Sequence, residues 1–193
     1  MTYIYRLLEI PIQNALARGK SILLLGARQT GKTTLIKRLG ADLLISLIQP
    51  AVRLRYEQNL ALLTGEIEAL ADEITSRQPL VIIDEVQKVP QLLDAVQDLI
   101  DRKVAKFILT GSSARKLRIG SHINFLPGRV VNLHLDPLTL QELSAEKIDL
   151  NDLLLYGSLP GIVSAKNPQD KEQDLSSYTT TYLEEEIRLE AIV

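Results

Sequence analysis

Residues 26–34, Gly26-Ala27-Arg28-Gln29-Thr30-Gly31-Lys32-Thr33-Thr34, hold the residue types that a polyphosphate needs. They fit the pattern G-x-x-x-x-G-K-[ST]. Gly26 and Gly31 permit backbone conformations that a Cβ resists, so the N–H groups between them, those of Ala27, Arg28, Gln29 and Thr30 included, can converge on phosphate oxygens. Lys32 supplies a point charge for the β and γ phosphates, and Thr33 a hydroxyl for Mg²⁺. From Thr33 onward the chain reads as a helix whose first turn, with Thr34, faces the same anion. The Arg28 side chain is expected to point away from the phosphates and brace the loop.

A second group lies at the end of an apolar run, where Leu80-Val81-Ile82-Ile83 leads into Asp84-Glu85. Burying two adjacent carboxylates at a strand end is costly, so their presence there points to chemistry. Asp84 fits the Mg²⁺ shell together with Thr33, and Glu85 fits a general base that polarises an attacking water. Thr110-Gly111-Ser112-Ser113 closes another apolar run; Thr110 and Ser112 are candidates to sense the γ-phosphate or the lytic water. Arg129, in Leu126-Pro127-Gly128-Arg129, is a candidate catalytic cation for phosphoryl transfer, acting in cis or in trans, and reads equally well as a solvated turn residue.

These residues need a scaffold, and the hydrophobic pattern supplies one. Residues 21–25 are nearly all apolar, as expected of a parallel strand covered on both faces. Residues 42–48, 80–84, 106–110 and 130–135 give four further short strands. Between them, residues 52–63, 66–76 and the stretch from Pro90 to about residue 100 show helical spacing. Residues 3–18 do so as well, with Pro11 predicting a kink or two short helices. Residues 115–118 are basic and loop-like. After Pro137 the pattern is helical: residues 139–145 with a capping box of Thr139 and Glu142, then 149–156 ended by Gly157, then a long amphipathic stretch over 169–193. The expected fold class is α/β: a phosphate-loop NTPase with a mostly parallel five-stranded sheet flanked by helices and a helical C-terminal extension.

Composition narrows the chemistry. The chain of 193 residues has no cysteine, which excludes disulfides, thiolate catalysis and Cys-ligated zinc. Its two histidines, His122 and His134, have no ligand spacing around them. A net charge of −2 with interspersed signs does not support direct nucleic-acid binding. No apolar run reaches the roughly 20 residues that span a bilayer, and the first residues are not a signal peptide, so no membrane partner and a cytoplasmic location are expected.

With these motifs in hand, the chain resembles a family of prokaryotic AAA-type ATPases in which an N-terminal ATPase domain precedes a poorly characterised C-terminal domain. The resemblance rests on Gly26 to Thr34, on Ile83-Asp84-Glu85-Val86-Gln87-Lys88-Val89-Pro90, on Leu109-Thr110-Gly111-Ser112-Ser113, on Leu126-Pro127-Gly128-Arg129 and on Leu138-Thr139-Leu140-Gln141-Glu142-Leu143. Gly157-Ser158-Leu159-Pro160-Gly161 and Tyr182-Leu183-Glu184-Glu185-Glu186-Ile187 are similar to the family's linker. It implies an ATPase core over residues 1–145 and a helical lid or linker over 146–193 leading to an absent C-terminal domain. It also implies ATP and Mg²⁺ as ligands, roles for Asp84 and Glu85 in metal binding and hydrolysis, a sensor at Thr110, and a relay at Gln87. Residues 42–50 lack the acidic strand end expected after the second strand. Three functions are open: ATP hydrolysis coupled to a conformational change, a nucleotide-dependent interaction module with little turnover, and, less suited to Glu85 directly after Asp84, a small-molecule kinase. The expected partners are ATP or ADP and an unknown protein or the absent domain, with oligomerisation open.

Overall fold

The structure, a computed structural model, describes residues 3–112, 128–144 and 148–182. Residues 115–118, His122, Ser113, Leu126, Pro127 and the part of the final helix expected over 183–193 lie outside the described residues. The chain divides into two compact units, Leu8–Gly26 with Lys32–Leu135, and Met1–Leu7 with Ala27–Gly31 and Asp136–Val193.

In the first unit the elements are α1 (Glu9–Ala17), β1 (Ser21–Leu25), α2 (Lys32–Ile36), β2 (Leu43–Ser46), α3 (Pro50–Gln58), α4 (Ala61–Glu73), β3 (Leu80–Asp84), a 3₁₀ turn (Val86–Lys88), α5 (Leu92–Asp101), β4 (Lys106–Gly111) and β5 (Val130–His134). The five strands are all parallel, in the order β2-β3-β4-β1-β5. The chain thus leaves β1 for the far edge, steps back through β3 and β4, and passes β1 to reach β5. The direction of connection reverses at β1, and the carboxyl ends of the strands beside such a reversal are where α/β sheets bind ligands. The register brings β1 and β4 level at Leu24↔Thr110 and Leu25↔Gly111, and β3 and β4 level at Ile83↔Leu109, so Thr110 stands between the last residues of β1 and Asp84.

Alternation along the strands builds both faces. Leu23, Ile45, Val81, Ile83, Phe107 and Leu109 pack on α3, α4 and α5. Ile22, Leu24, Leu80, Ile82 and Ile108 pack on α1 and α2. The result is a helix–sheet–helix sandwich, the phosphate-loop NTPase architecture, in which every residue of β3, including Asp84, is buried.

Several elements differ from the sequence reading. The helix expected over 3–18 forms only as α1, with Pro11 in its first turn, where its missing N–H costs nothing. The break expected near residues 64–65 falls at Asn59 instead: its backbone is extended and its Oδ1 accepts from Ala61 N at 3.1 Å, a local bond that competes with the helix, while Gly65 stays inside α4. Helix α2 gives way after Ile36 to i→i+3 bonds, Arg38 N to Leu35 O and Leu39 N to Ile36 O. Pro90 precedes α5 rather than entering it.

In the second unit the residues from Thr139 form a turn rather than the expected helix, although both capping-box bonds are made: Thr139 N to Glu142 Oε2 at 2.9 Å and Glu142 N to Thr139 Oγ1 at 3.2 Å. Helices α6 (Leu150–Tyr156), α7 (Pro160–Ser164) and α8 (Pro168–Tyr182) follow. Asp149 caps α6 by accepting from Asn151 N at 3.1 Å, and Gly157 ends it at φ 74°. Among the described residues no helix is long and apolar enough to cross a membrane.

Candidate functional site

Gly26 follows the last residue of β1, and its place can be held only by glycine. With φ at 153°, a Cβ there would stand 2.3 Å from the carbonyl oxygen of Leu135, whose own N–H donates to Leu25 O at 2.8 Å. The chain beyond β5 therefore presses directly on the start of the loop. Gly31 has φ 95° and Gln29 φ 62°, a left-handed conformation for a residue with a side chain. Within its own unit the stretch Ala27–Gly31 is held by Thr30 Oγ1 donating to Ala27 O at 2.9 Å and by Arg6 Nη1 donating to Thr30 O at 2.6 Å. Arg28 and Gln29 line a cleft of about 320 Å³ with Ile162, Asp174, Tyr178 and Tyr182.

Lys32 and Thr33 open α2. The Lys32 side chain is buried, 6% exposed, and its Nζ donates to Gly26 O at 2.7 Å. Thr33 Oγ1 donates to Asp84 Oδ2 at 3.1 Å, and Thr34 is exposed on the same short helix. Asp84, 1% exposed, is held on its other oxygen by Thr110 Oγ1 at 2.5 Å, and Thr110 in turn accepts from Glu85 N at 3.0 Å. Residues 51 and 26 positions from Asp84 in the chain thus meet on one carboxylate.

The oxygen pair fits the metal that the sequence implies. Oxygens that share an edge of an octahedron with bonds of 2.0–2.1 Å stand about 3 Å apart, which Thr33 Oγ1 and Asp84 Oδ2 do. Two hard oxygen donors with no imidazole suit Mg²⁺, which takes few protein ligands and keeps phosphate and water for the rest. No cluster of three or more His, Cys, Asp or Glu residues able to hold a metal occurs among the described residues. A cavity of about 860 Å³ opens at Thr33 and Asp84 and is lined further on by Ser46, Ile45, Tyr56 and Glu66.

Glu85 adopts a left-handed backbone, φ 60° and ψ 49°, at a cost of order 1 kcal/mol or more for a residue with a Cβ. This turns it out of the strand direction. Its Oε2 accepts from Gln87 Nε2, which also donates to Ser112 Oγ at 3.2 Å. A carboxylate can only accept, so the amide's nitrogen must face it. That leaves Gln87 Oε1 buried without a hydrogen-bond partner among the described residues, 2.9 Å from where a Cβ on Gly111 would lie. Ser112, expected beside phosphate, is thus engaged with Gln87.

Arg129 stands elsewhere. It precedes Val130, which pairs with Ser21 at the start of β1, and its guanidinium donates to both oxygens of Asp101 at 2.6 and 2.9 Å. The length of β5, about 13 Å at 3.3 Å per residue, separates it from the edge that carries Asp84 and the loop. Within one chain Arg129 therefore does not join Lys32, Thr33, Asp84, Glu85 and Thr110, and its position leaves the turn-residue reading and a role in trans. The Asp101 carboxyl is held below its usual range by these hydrogen bonds from Arg129.

One residue of consequence lies outside every motif. Arg6, 4% exposed, donates from Nε to Glu142 Oε1 at 3.0 Å and from Nη2 to Asp136 O at 2.6 Å, besides its bond to Thr30 O. Glu142 was visible as a capping-box residue, but nothing in the sequence tied it to Arg6, 136 positions away. Burial alone would raise the Glu142 carboxyl, yet the donors Thr139 N, Arg6 and Leu7 N outweigh it and hold the carboxyl below its usual range. A folded-state value below the unfolded one means that this stabilisation is fully present above about pH 4.5 and is lost as pH falls through the folded value. Glu142→Gln is accordingly expected to lower the melting temperature at pH 7, with the gap to the native chain closing as the two are compared from pH 4.5 downward; a gap that stays constant to pH 3 would contradict this.

The chain is similar to known proteins. The sequence model of the AAA domain family matches residues 18–144. Uncharacterized protein Mb2031c of Mycobacterium bovis and uncharacterized protein Rv2008c of Mycobacterium tuberculosis are each 31% identical over 181 residues, covering 91% of this chain. The chain spans 38% of the length of these relatives. The crystal structure of Pif1 helicase from Candida albicans aligns with a TM-score of 0.44 at 16% identity, over 90% of this chain and 47% of that one. A strand-ending glycine loop, a buried aspartate level with a threonine on the next strand, and a family match over residues 18–144 meet in one conclusion: the chain belongs to the AAA domain family, whose nucleotide-binding ATPase fold it carries.

Proposed function

We propose that the chain binds ATP with Mg²⁺ on residues 26–34 and Asp84 and hydrolyses it. The observation that carries this reading is the pairing of Thr33 Oγ1 with Asp84 Oδ2 at 3.1 Å on a buried carboxylate that Thr110 also grips. Thr33 and Asp84 would hold the metal, which when bound supplies positive charge to the phosphate oxygens. Gly26, Ala27, Arg28, Gln29, Thr30, Gly31 and Thr34 would cradle the phosphates through their main chain, and Lys32 would exchange Gly26 O for a phosphate oxygen and offset the charge of the transferring group. Glu85 would take the proton of a water whose oxygen attacks the γ-phosphorus while the bond to the β–γ bridging oxygen breaks and ADP leaves. Thr110 would align the Asp84 side chain. Arg129 would act from a second copy.

A second reading, a nucleotide-dependent interaction module with slow or no turnover, draws support from the Gln87 amide that already occupies the Glu85 carboxylate. Titration of the protein with ATP, beside a phosphate-release assay with Mg²⁺ and with EDTA, separates the two. Tight binding with Mg²⁺-dependent release is the result expected for the ATPase. Tight binding without release supports the module, and no ATP binding overturns both.

A further inference from the structure

Resting on the ATP-binding reading, we infer that Arg6 is the positioning residue of the phosphate loop, and that Glu142 sets nucleotide affinity through it. Arg6 is the centre of a buried fork. Its Nε is on Glu142 Oε1, its Nη1 on Thr30 O and its Nη2 on Asp136 O, at 3.0, 2.6 and 2.6 Å. The Arg6 and Glu142 side chains are 5% and 3% exposed.

The consequence for the loop follows from the peptide bond. The Thr30–Gly31 peptide is planar and trans, so the Gly31 N–H points opposite to the Thr30 carbonyl. By holding that carbonyl toward itself, the guanidinium fixes the Gly31 N–H in the opposite direction. Ala27 O is occupied by the Thr30 hydroxyl at 2.9 Å, so two carbonyls of the stretch Ala27–Gly31 are turned onto donors of their own unit. An anion cradle requires this arrangement: carbonyl oxygens turned away, N–H groups turned inward. Gly31 supplies the φ of 95° that this turn of the chain needs, and a Cβ there would stand in ordinary contact with Arg6 Nη1 at 3.5 Å.

Glu142 completes the device. Its Oε1 also accepts from Leu7 N at 2.8 Å and its Oε2 from Thr139 N at 2.9 Å, so the carboxylate ties Arg6 and the residue after it to the turn at Thr139. A change in that turn moves the guanidinium, and with it the Thr30 carbonyl. Only arginine serves three acceptors in one plane; a lysine ammonium on a flexible stem does not reproduce the fork.

The test is ATP affinity, read with a fluorescent ribose-labelled ATP, together with thermal melting and kcat. The native chain binds the probe. Arg6→Lys weakens binding by roughly 10- to 100-fold with kcat at saturation changed by less than about threefold. Arg6→Met with Glu142→Leu replaces the buried pair by apolar side chains, a change that can preserve stability; its melting temperature stays near the native value while affinity stays low. A role in packing alone predicts the opposite, affinity returning with stability. Should the double variant fail to fold, Glu142→Gln, of the same shape, decides the matter with an expected loss of roughly three- to tenfold. Variants that fold and bind like the native chain overturn the Arg6 assignment alone. A native chain that does not bind the probe overturns the ATP reading and this inference with it.

Discussion

Glu85→Gln is expected to lower ATP turnover by roughly 10² to 10⁴, the range for removing a positioned general base, and to leave ATP affinity within a few fold of the native value. The amide keeps the size of the side chain and can still contact Gln87, so the left-handed turn at φ 60° should persist. It has no basic oxygen to accept a proton from water. The loss corresponds to about 3–5 kcal/mol of transition-state stabilisation, at 1.36 kcal/mol per decade. Single-turnover hydrolysis with saturating Mg²⁺ and ATP is the measurement. A variant that hydrolyses at the parental rate would show that another group takes the proton. Native and variant chains that are equally inactive but bind ATP would favour the interaction-module reading.

The largest effect on stability should come from Gly26→Ala. The new Cβ would lie 2.3 Å from Leu135 O, a backbone atom that no side-chain rotation can move. The departure of β5 from the edge of β1 must shift, and overpacking of this kind costs about 1–3 kcal/mol, with a further 1 kcal/mol or so for the left-handed φ. A fall of roughly 5–15 °C in melting temperature is expected for a domain of this size, accompanied by loss of ATP binding. Gly40→Ala is the control. It too has positive φ, 66°, but nothing stands within 4 Å of its Cβ, so it should show only the backbone cost. Equal melting temperatures for the two variants would refute the contact with Leu135 as the reason for glycine at position 26.

The parts of the fold that were legible are those whose burial leaves a local mark. Residues 21–25, 80–84 and 106–111 are covered on both faces, so their apolar runs end where the strands end. The spacing of Gly26, Gly31 and Lys32 is also local, and so is the Asp84-Glu85 pair. What was illegible depends on contacts between distant residues. Arg6 looks like any surface arginine next to two leucines until Thr30 O and Glu142 are brought to it. Arg129 carries the right charge for catalysis, and only the parallel register of β5 with β1 reveals that it sits at the wrong edge of the sheet. The helix break at Asn59 was hidden because the apolar spacing continues across it while a side-chain bond to Ala61 N diverts the backbone. Gln87 enters through the family resemblance; the placing of its Oε1 over Gly111 is invisible in any one-dimensional pattern.

The Thr110 hydroxyl has a single proton, and that proton is committed to Asp84 Oδ1 at 2.5 Å, while one of its two lone pairs is taken by Glu85 N. The chain of donors therefore runs one way, from the Glu85 amide through Thr110 to Asp84. One lone pair remains. With Thr110 fully buried and its proton on Asp84, a phosphate oxygen, itself an acceptor, gains nothing from the hydroxyl until Asp84 releases its hold. Thr110 thus passes a hydrogen bond from the main chain of Glu85 on to the carboxylate of Asp84, so the turn at Glu85 and the aspartate before it are aligned through one hydroxyl.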